Sequence, residues 1–124
     1  MTAKILIVED NELNMRLFSD LLKSRQYEVC ECLQAKQAMP LLHSFCPDLV
    51  LMDIQMPEIS GLELIRQIRQ EKDTRFSKVK IIAVTAFAMK GDEEKMLENG
   101  SDDYIAKPIA IHSFLDTVSK NLRQ

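Results

Sequence analysis

The sequence has no apolar run long enough to cross a bilayer. Its longest, Ile81 to Met89, is broken by Thr85 and falls far short of the roughly 20 residues a spanning helix needs. No secretory leader is expected either, because the apolar start Ile5 to Val8 runs at once into Glu9 and Asp10, where a signal segment would carry no acid. Basic charge is not in surplus: 16 Lys and Arg stand against 19 Asp and Glu, for a net charge of -3. The chain therefore lacks the cationic field that holds a nucleic-acid backbone. Neither nucleic acid nor membrane insertion is expected, and a cytoplasmic location is. Cysteine is scarce and odd in number, with Cys30, Cys32 and Cys46 in apolar stretches, which suits reduced thiols rather than a disulfide framework. Those three with His43 could in principle hold zinc, but plain packing is the better account of them. Glycine is equally scarce at 3 residues. No Gly-x-Gly-x-x-Gly or hydroxyl-rich phosphate loop follows the first apolar run, where Glu9-Asp10-Asn11-Glu12 would instead repel a phosphate; dinucleotide and flavin mononucleotide sites are excluded.

What the chain does contain is core material. Of its 124 residues 46% are hydrophobic, enough for one domain over residues 1–124. No internal repeat or linker interrupts it, and it stops two residues after Leu122, so no output domain is expected. Short β-branched or aliphatic runs alternate with longer stretches of helical period, the pattern of parallel strands joined by crossover helices. Strands are predicted over Lys4 to Val8, Tyr27 to Cys32, Asp48 to Met52, Lys80 to Val84 and Asp103 to Ala106. The first, third and fourth are continuously apolar and belong in the middle of a sheet covered on both faces; the second and fifth carry charge and belong at its edges.

Five helices are predicted between and after these strands. Glu12 to Ser24, capped by Asn11, buries Met15, Phe18, Leu21 and Leu22. Ala35 to Phe45 contains Pro40, which in a helix interior costs about 3 kcal/mol, so a late start or a kink is expected. Gly61 to Gln70 buries Leu64, Ile65 and Ile68. Met89 to Asn99, closed by Gly100, has only Met89, Met96 and Leu97 to bury and is expected to be the least firmly held. The last helix places Ile111, Phe114, Leu115, Val118 and Leu122 on one face. His43 and His112 are expected at the surface.

In a doubly wound sheet ligands bind beyond the carboxyl ends of the strands. There the first strand runs into Glu9 and Asp10, the third into Asp53, the fourth into Thr85 and the fifth into Lys107 and Pro108. If the first and third strands adjoin, at about 4.8 Å, three carboxylates converge. Such a cluster needs a counter-charge, for which a hard divalent ion with oxygen ligands, Mg2+ first, is the usual solution, and Lys107 adds a further cation. A lone carboxylate against a metal and a lysine suits phosphoryl transfer to aspartate, because nearby cations absorb the charge that develops. Asp53 is the best nucleophile, since Glu9 and Asp10 are adjacent and can share the metal. Thr85 is placed to donate its hydroxyl to a phosphoryl oxygen. A Mg2+-dependent aspartate-nucleophile phosphatase of the haloacid-dehalogenase type is a rival reading, but it wants a second acid two residues after the nucleophile, where Gln55 stands.

Taken together, the stretches Val8-Glu9-Asp10-Asn11, Leu51-Met52-Asp53-Ile54-Gln55-Met56-Pro57, Val84-Thr85-Ala86 and Lys107-Pro108 resemble, in order and spacing, the receiver domain of two-component response regulators. The resemblance covers the whole chain and implies a flavodoxin-like α/β fold, a doubly wound five-stranded parallel sheet of order 2-1-3-4-5 flanked by five helices. It implies that Asp53 is the phosphoacceptor, that Asp10, Asp53 and the backbone carbonyl of Gln55 hold Mg2+ with Glu9 assisting through water, and that Lys107 binds the phosphoryl group. Thr85 would be the switch hydroxyl and Tyr104 the aromatic that moves with it, while Gln55 and Phe87 would tune the lifetime of the phosphoryl group. Asn11-Glu12-Leu13-Asn14-Met15 and the stretch from Ala86 to Glu94 are further similar to a single-domain regulator of bacterial cell division and polarity.

The same resemblance implies a phosphoacceptor signalling protein rather than an enzyme. Its partners would be sensor histidine kinases, met near Asn14, Met15 and Phe18, and effector proteins that bind the face of helix 4, strand 5 and helix 5, with Phe87 and Met89 as candidate contacts. The alternative within the same chemistry is a phosphorelay intermediate that passes its phosphoryl group to a histidine phosphotransfer domain.

Overall fold

In the computed structural model, which describes residues 2–86 and 91–123, the five predicted strand segments form β1 (Lys4–Val8), β2 (Glu28–Cys32), β3 (Leu49–Asp53), β4 (Lys80–Thr85) and β5 (Asp103–Ala106). They pair in parallel in the order β2-β1-β3-β4-β5, with the two charged strands at the edges as their composition requires. Successive side chains of a strand point to opposite faces, so each central strand feeds two cores. Leu6, Val8, Val50, Met52, Ile81 and Ala83 face one layer, and Ile5, Ile7, Leu49, Leu51, Ile82 and Val84 face the other.

Helices α2 (Ala38–Phe45), α3 (Gly61–Arg69), α4 (Thr74–Ser77) and α5 (Asp92–Glu98) cover the first layer. Helices α1 (Glu12–Ser24) and α6 (Ile111–Leu122) cover the second, where Phe18 and Phe114 stack with ring centroids 5.3 Å apart. Asn11 caps α1 by accepting from the Asn14 N–H at 2.9 Å. The proline is accommodated by a late start: a 3-10 turn over Ala35–Gln37 precedes α2, so Pro40 falls in the first turn, whose N–H groups have no intrahelical partner in any case. No described helix is long and apolar enough to cross a membrane.

Several expectations need correction. A sixth helix, α4, was not legible; Asp73 caps it by accepting from the Arg75 N–H at 2.9 Å, and it buries Phe76. Ile111 is 52% exposed, because a side chain at a helix start leans back over the preceding chain and off the sheet. The buried position near the end of α6 goes instead to Asn121, whose amide donates to Asp103 Oδ2 at 3.0 Å. In the short α5, Met96 points inward, which turns its neighbour Leu97 out to 49% exposure; the expected helix start at Met89, and with it Phe87, lies outside the described residues. Met15 and Phe18 are buried against the sheet, so they cannot meet a kinase directly, and Leu13 and Leu17 are the exposed apolar residues of α1. Leu21 is half-buried, and both histidines are exposed.

The amino-terminal edge of β4 is held by Arg69. Its Nε donates to Gly100 O at 2.8 Å, Nη1 to Ser77 O at 2.9 Å and Val79 O at 2.6 Å, and Nη2 to Asp102 Oδ2 at 2.8 Å. One guanidinium thus ties the end of α3 to α4 and to the turn between α5 and β5.

Candidate functional site

The register brings the chemistry together. Because β1, β3, β4 and β5 run parallel and in step, Val8 beside Met52, Asp53 beside Val84 and Thr85 beside Ala106, their carboxyl ends open on one edge. Asp53 and Thr85 prove to be the last residues of their strands, one residue further than predicted, and both are buried. Glu9 follows β1 and is also buried, whereas Asp10 is exposed at the mouth. Glu9, Asp10 and Asp53 each present a carboxylate oxygen within 4.8 Å of the others, and among the described residues no other such group of acids, histidines and cysteines is found. The conceivable zinc set is therefore not assembled: Cys30 and Cys32 pack from β2 into the first core layer, and Cys46 is exposed after α2. Burial first, and then Glu31 beside it, raises the Cys30 thiol above its ordinary value.

Lys107, just beyond β5, reaches across this edge. Its Nζ lies 3.0 Å from Glu9 Oε1 and donates to Asp53 Oδ1 at 3.2 Å. The Gln55 backbone N–H donates to the same Asp53 oxygen at 3.3 Å, and Glu9 Oε2 accepts from the Asn11 N–H at 3.1 Å. Burial, and then the Glu9 carboxylate beside it, push the Asp53 carboxyl up to about 7 despite Lys107. Burial alone would lower the Lys107 ammonium, but Glu9 and Asp53 outweigh it and hold Lys107 above its usual value. Asp53 Oδ2 is buried with no hydrogen-bond partner among the described residues.

That unpartnered oxygen, inside three carboxylates faced by one ammonium, is a site short of positive charge and built from hard oxygen donors. The donor set fits a divalent cation of the Mg2+ type.

Gln55 contributes more than the sequence suggested. Its side chain turns to the end of β4, where Nε2 donates to Thr85 Oγ1 at 2.9 Å and Oε1 accepts from the Ala86 N–H at 2.9 Å. Tyr104 is not gathered at Asp53; it is half-buried against the first core layer, and the Glu93 carboxylate beside its hydroxyl, the larger cause, holds it above the ordinary phenol value. Gly61 is a positioning residue that sequence reasoning passed over. A Cβ there would stand 2.1 Å from Asp53 O and 2.8 Å from Ile54 Cα, so only glycine lets α3 start so close to the strand end. The signal available was a glycine opening the helix that follows the Asp53 loop, in a chain with so few.

A family model described as the response regulator receiver domain matches residues 5–119. The polar-differentiation response regulator DivK of Brucella ovis is 46% identical, with 98% of this chain and 98% of that protein covered. Among solved structures, a putative response regulator from Chloroflexus aurantiacus superposes with a TM-score of 0.92 at 25% identity, each chain covered over 100% of its length. The receiver domain of the sensor histidine kinase PA1611 from Pseudomonas aeruginosa, whose structure has a magnesium ion coordinated in its active-site cleft, superposes with a TM-score of 0.88 at 32% identity over 100% of both chains.

Proposed function

Since the chain belongs to the response regulator receiver domain family and is similar to DivK throughout, we propose that it is a phosphoacceptor in two-component signalling, with residues 1–124 acting as one receiver domain. The observation that carries the reading is the Asp53 carboxylate, buried at the end of a central strand with Lys107 on one oxygen and, among the described residues, no hydrogen-bond partner on the other. In this reading an Asp53 oxygen attacks the phosphorus of a phosphohistidine on a sensor histidine kinase. A P–O bond forms as the P–N bond breaks, and the electron pair stays on the departing imidazole nitrogen.

Lys107 neutralises the oxygens that gain charge, and burial of Asp53 keeps competing water away. Asp10, Asp53 and the Gln55 backbone carbonyl would hold Mg2+, with Glu9 behind them, and the bound ion would supply electrostatic stabilisation of the transferring group. Asp53 must be ionised to attack, so the raised carboxyl makes acceptance fall away below about pH 7 in the metal-free state; a bound cation would shift that limit downward.

Thr85 then serves as the switch hydroxyl and Tyr104 as the aromatic that responds. The changed surface is the neighbouring α5, β5 and α6, read by an effector protein in the cytoplasm in the control of cell division and polarity. The similarity to DivK supports the process, and the absence of a catalytic turnover beyond self-phosphorylation is part of the same reading. Onward transfer to a histidine phosphotransfer domain uses the same atoms in reverse. The test is intact mass after incubation with acetyl phosphate. One phosphoryl group is expected on the native protein with Mg2+ and none on Asp53→Asn or in chelator, whereas equal gain in all three would overturn the assignment.

A further inference from the structure

The carboxylate cluster does not need the Gln55 side chain, yet that side chain makes two hydrogen bonds to one short segment. Its planar amide donates to Thr85 Oγ1 and accepts from the Ala86 N–H, both at 2.9 Å, so it grips adjacent groups at the end of β4. A phosphoryl group on Asp53 would bring three acceptor oxygens and no donor to that edge. The Ala86 N–H is a donor of the kind it would draw on, and Gln55 Oε1 already takes it up; the Thr85 hydroxyl accepts from Gln55 Nε2, which fixes the position of its oxygen. The resting arrangement and the phosphorylated one therefore compete for the Ala86 N–H and for the placement of the Thr85 hydroxyl.

We propose that the Gln55 side chain is a latch that holds Thr85 and Ala86 in the resting arrangement and must let go before they turn to a phosphoryl group on Asp53. The proposal rests on the aspartyl-phosphate reading of the site. Space for release exists: a cavity of about 180 Å3 lined by Ile54, Gln55, Leu62, Asp92, Lys95 and Met96 adjoins the amide. The latch differs from control of phosphoryl lifetime by water exclusion. Exclusion needs only bulk at position 55, whereas the latch needs an amide that donates and accepts at once.

Gln55→Met separates the two, because the thioether keeps the length and the backbone carbonyl but replaces neither hydrogen bond. The probe is beryllofluoride, which stands in for the phosphoryl group on aspartate, titrated calorimetrically with Mg2+ into the native protein and the variant. With the resting state deprived of its latch, Gln55→Met is expected to bind roughly tenfold tighter, the change that about 1.4 kcal/mol produces. In unphosphorylated protein, amide exchange at Ala86 is expected to speed up in both Gln55→Met and Gln55→Ala. Native protein that binds the probe while Gln55→Met binds it equally or more weakly would overturn the latch alone. Native protein that binds no probe would overturn the aspartyl-phosphate reading and the latch with it.

Discussion

Replacing Asp53 with asparagine is expected to stabilise the metal-free protein at neutral and alkaline pH, although it removes the group on which the chemistry depends. In the folded chain Asp53 holds its proton up to about 7, against an ordinary value of 3.8. Between those values the folded state binds a proton that the unfolded state has lost. Stability therefore falls as pH rises through this window, and the loss is complete above about pH 7. At 1.36 kcal/mol per pH unit the full interval sets an upper bound of about 4 kcal/mol. The mouth of the site is open at the exposed Asp10, and solvent screening there brings the expected gain to about 2 to 3 kcal/mol. Asparagine keeps the shape of the protonated carboxyl and an acceptor for Lys107 while removing the charge. Urea denaturation followed by circular dichroism, in chelator, checks this. Asp53→Asn should exceed the native protein by that amount near pH 8 and by less than half of it near pH 5, and added Mg2+ should stabilise the native protein alone. A variant less stable than the native protein near pH 8, or a gap that does not shrink towards pH 5, would refute the electrostatic account of the site.

Other consequences follow from the contacts already described. Gly61→Ala forces a Cβ against the backbone of Asp53 and Ile54 and should cost roughly 2 kcal/mol or more in urea denaturation, with weakened Mg2+ binding because the strand end must shift. Arg69→Ala deletes all the guanidinium bonds that tie α3, α4 and the turn before β5 together and should cost about 2 to 4 kcal/mol while leaving Mg2+ affinity unchanged, since it acts at the opposite edge of the sheet. Lys107→Met leaves Glu9 and Asp53 without their ammonium; Mg2+ titration should show tighter binding, and acetyl phosphate should label the variant at least tenfold more slowly.

The fold and the gathering of most candidate site residues at one sheet edge were legible because both rest on strong local patterns. Continuous apolar runs marked β1, β3 and β4 as central, and the reactive residues stood where those runs stopped, so Glu9, Asp10, Asp53, Thr85 and Lys107 could be named from position alone. What stayed hidden depends on contacts between distant segments. Nothing around Arg69 distinguishes it from a solvated helix arginine until Ser77, Val79, Gly100 and Asp102 are brought to it by the fold. Asn121 occupies an apolar stripe only because Asp103 lies opposite. Helix periodicity likewise could not show that Ile111 and Leu97 face out, since each sits in the first turn or beside the one inward residue of a short helix. The reach of the Gln55 amide to β4 spans two strands and leaves no trace in spacing.

The central claim is that Asp53 itself becomes the acyl phosphate, and chemical trapping addresses it most directly. After exposure to acetyl phosphate and Mg2+, borohydride reduces an aspartyl phosphate to homoserine, which peptide mass spectrometry can place in the chain. The account predicts conversion at Asp53, dependent on Mg2+, with Glu9 and Asp10 unchanged. Conversion at Asp10 in place of Asp53, or phosphorylated protein that yields no homoserine at all, would contradict it.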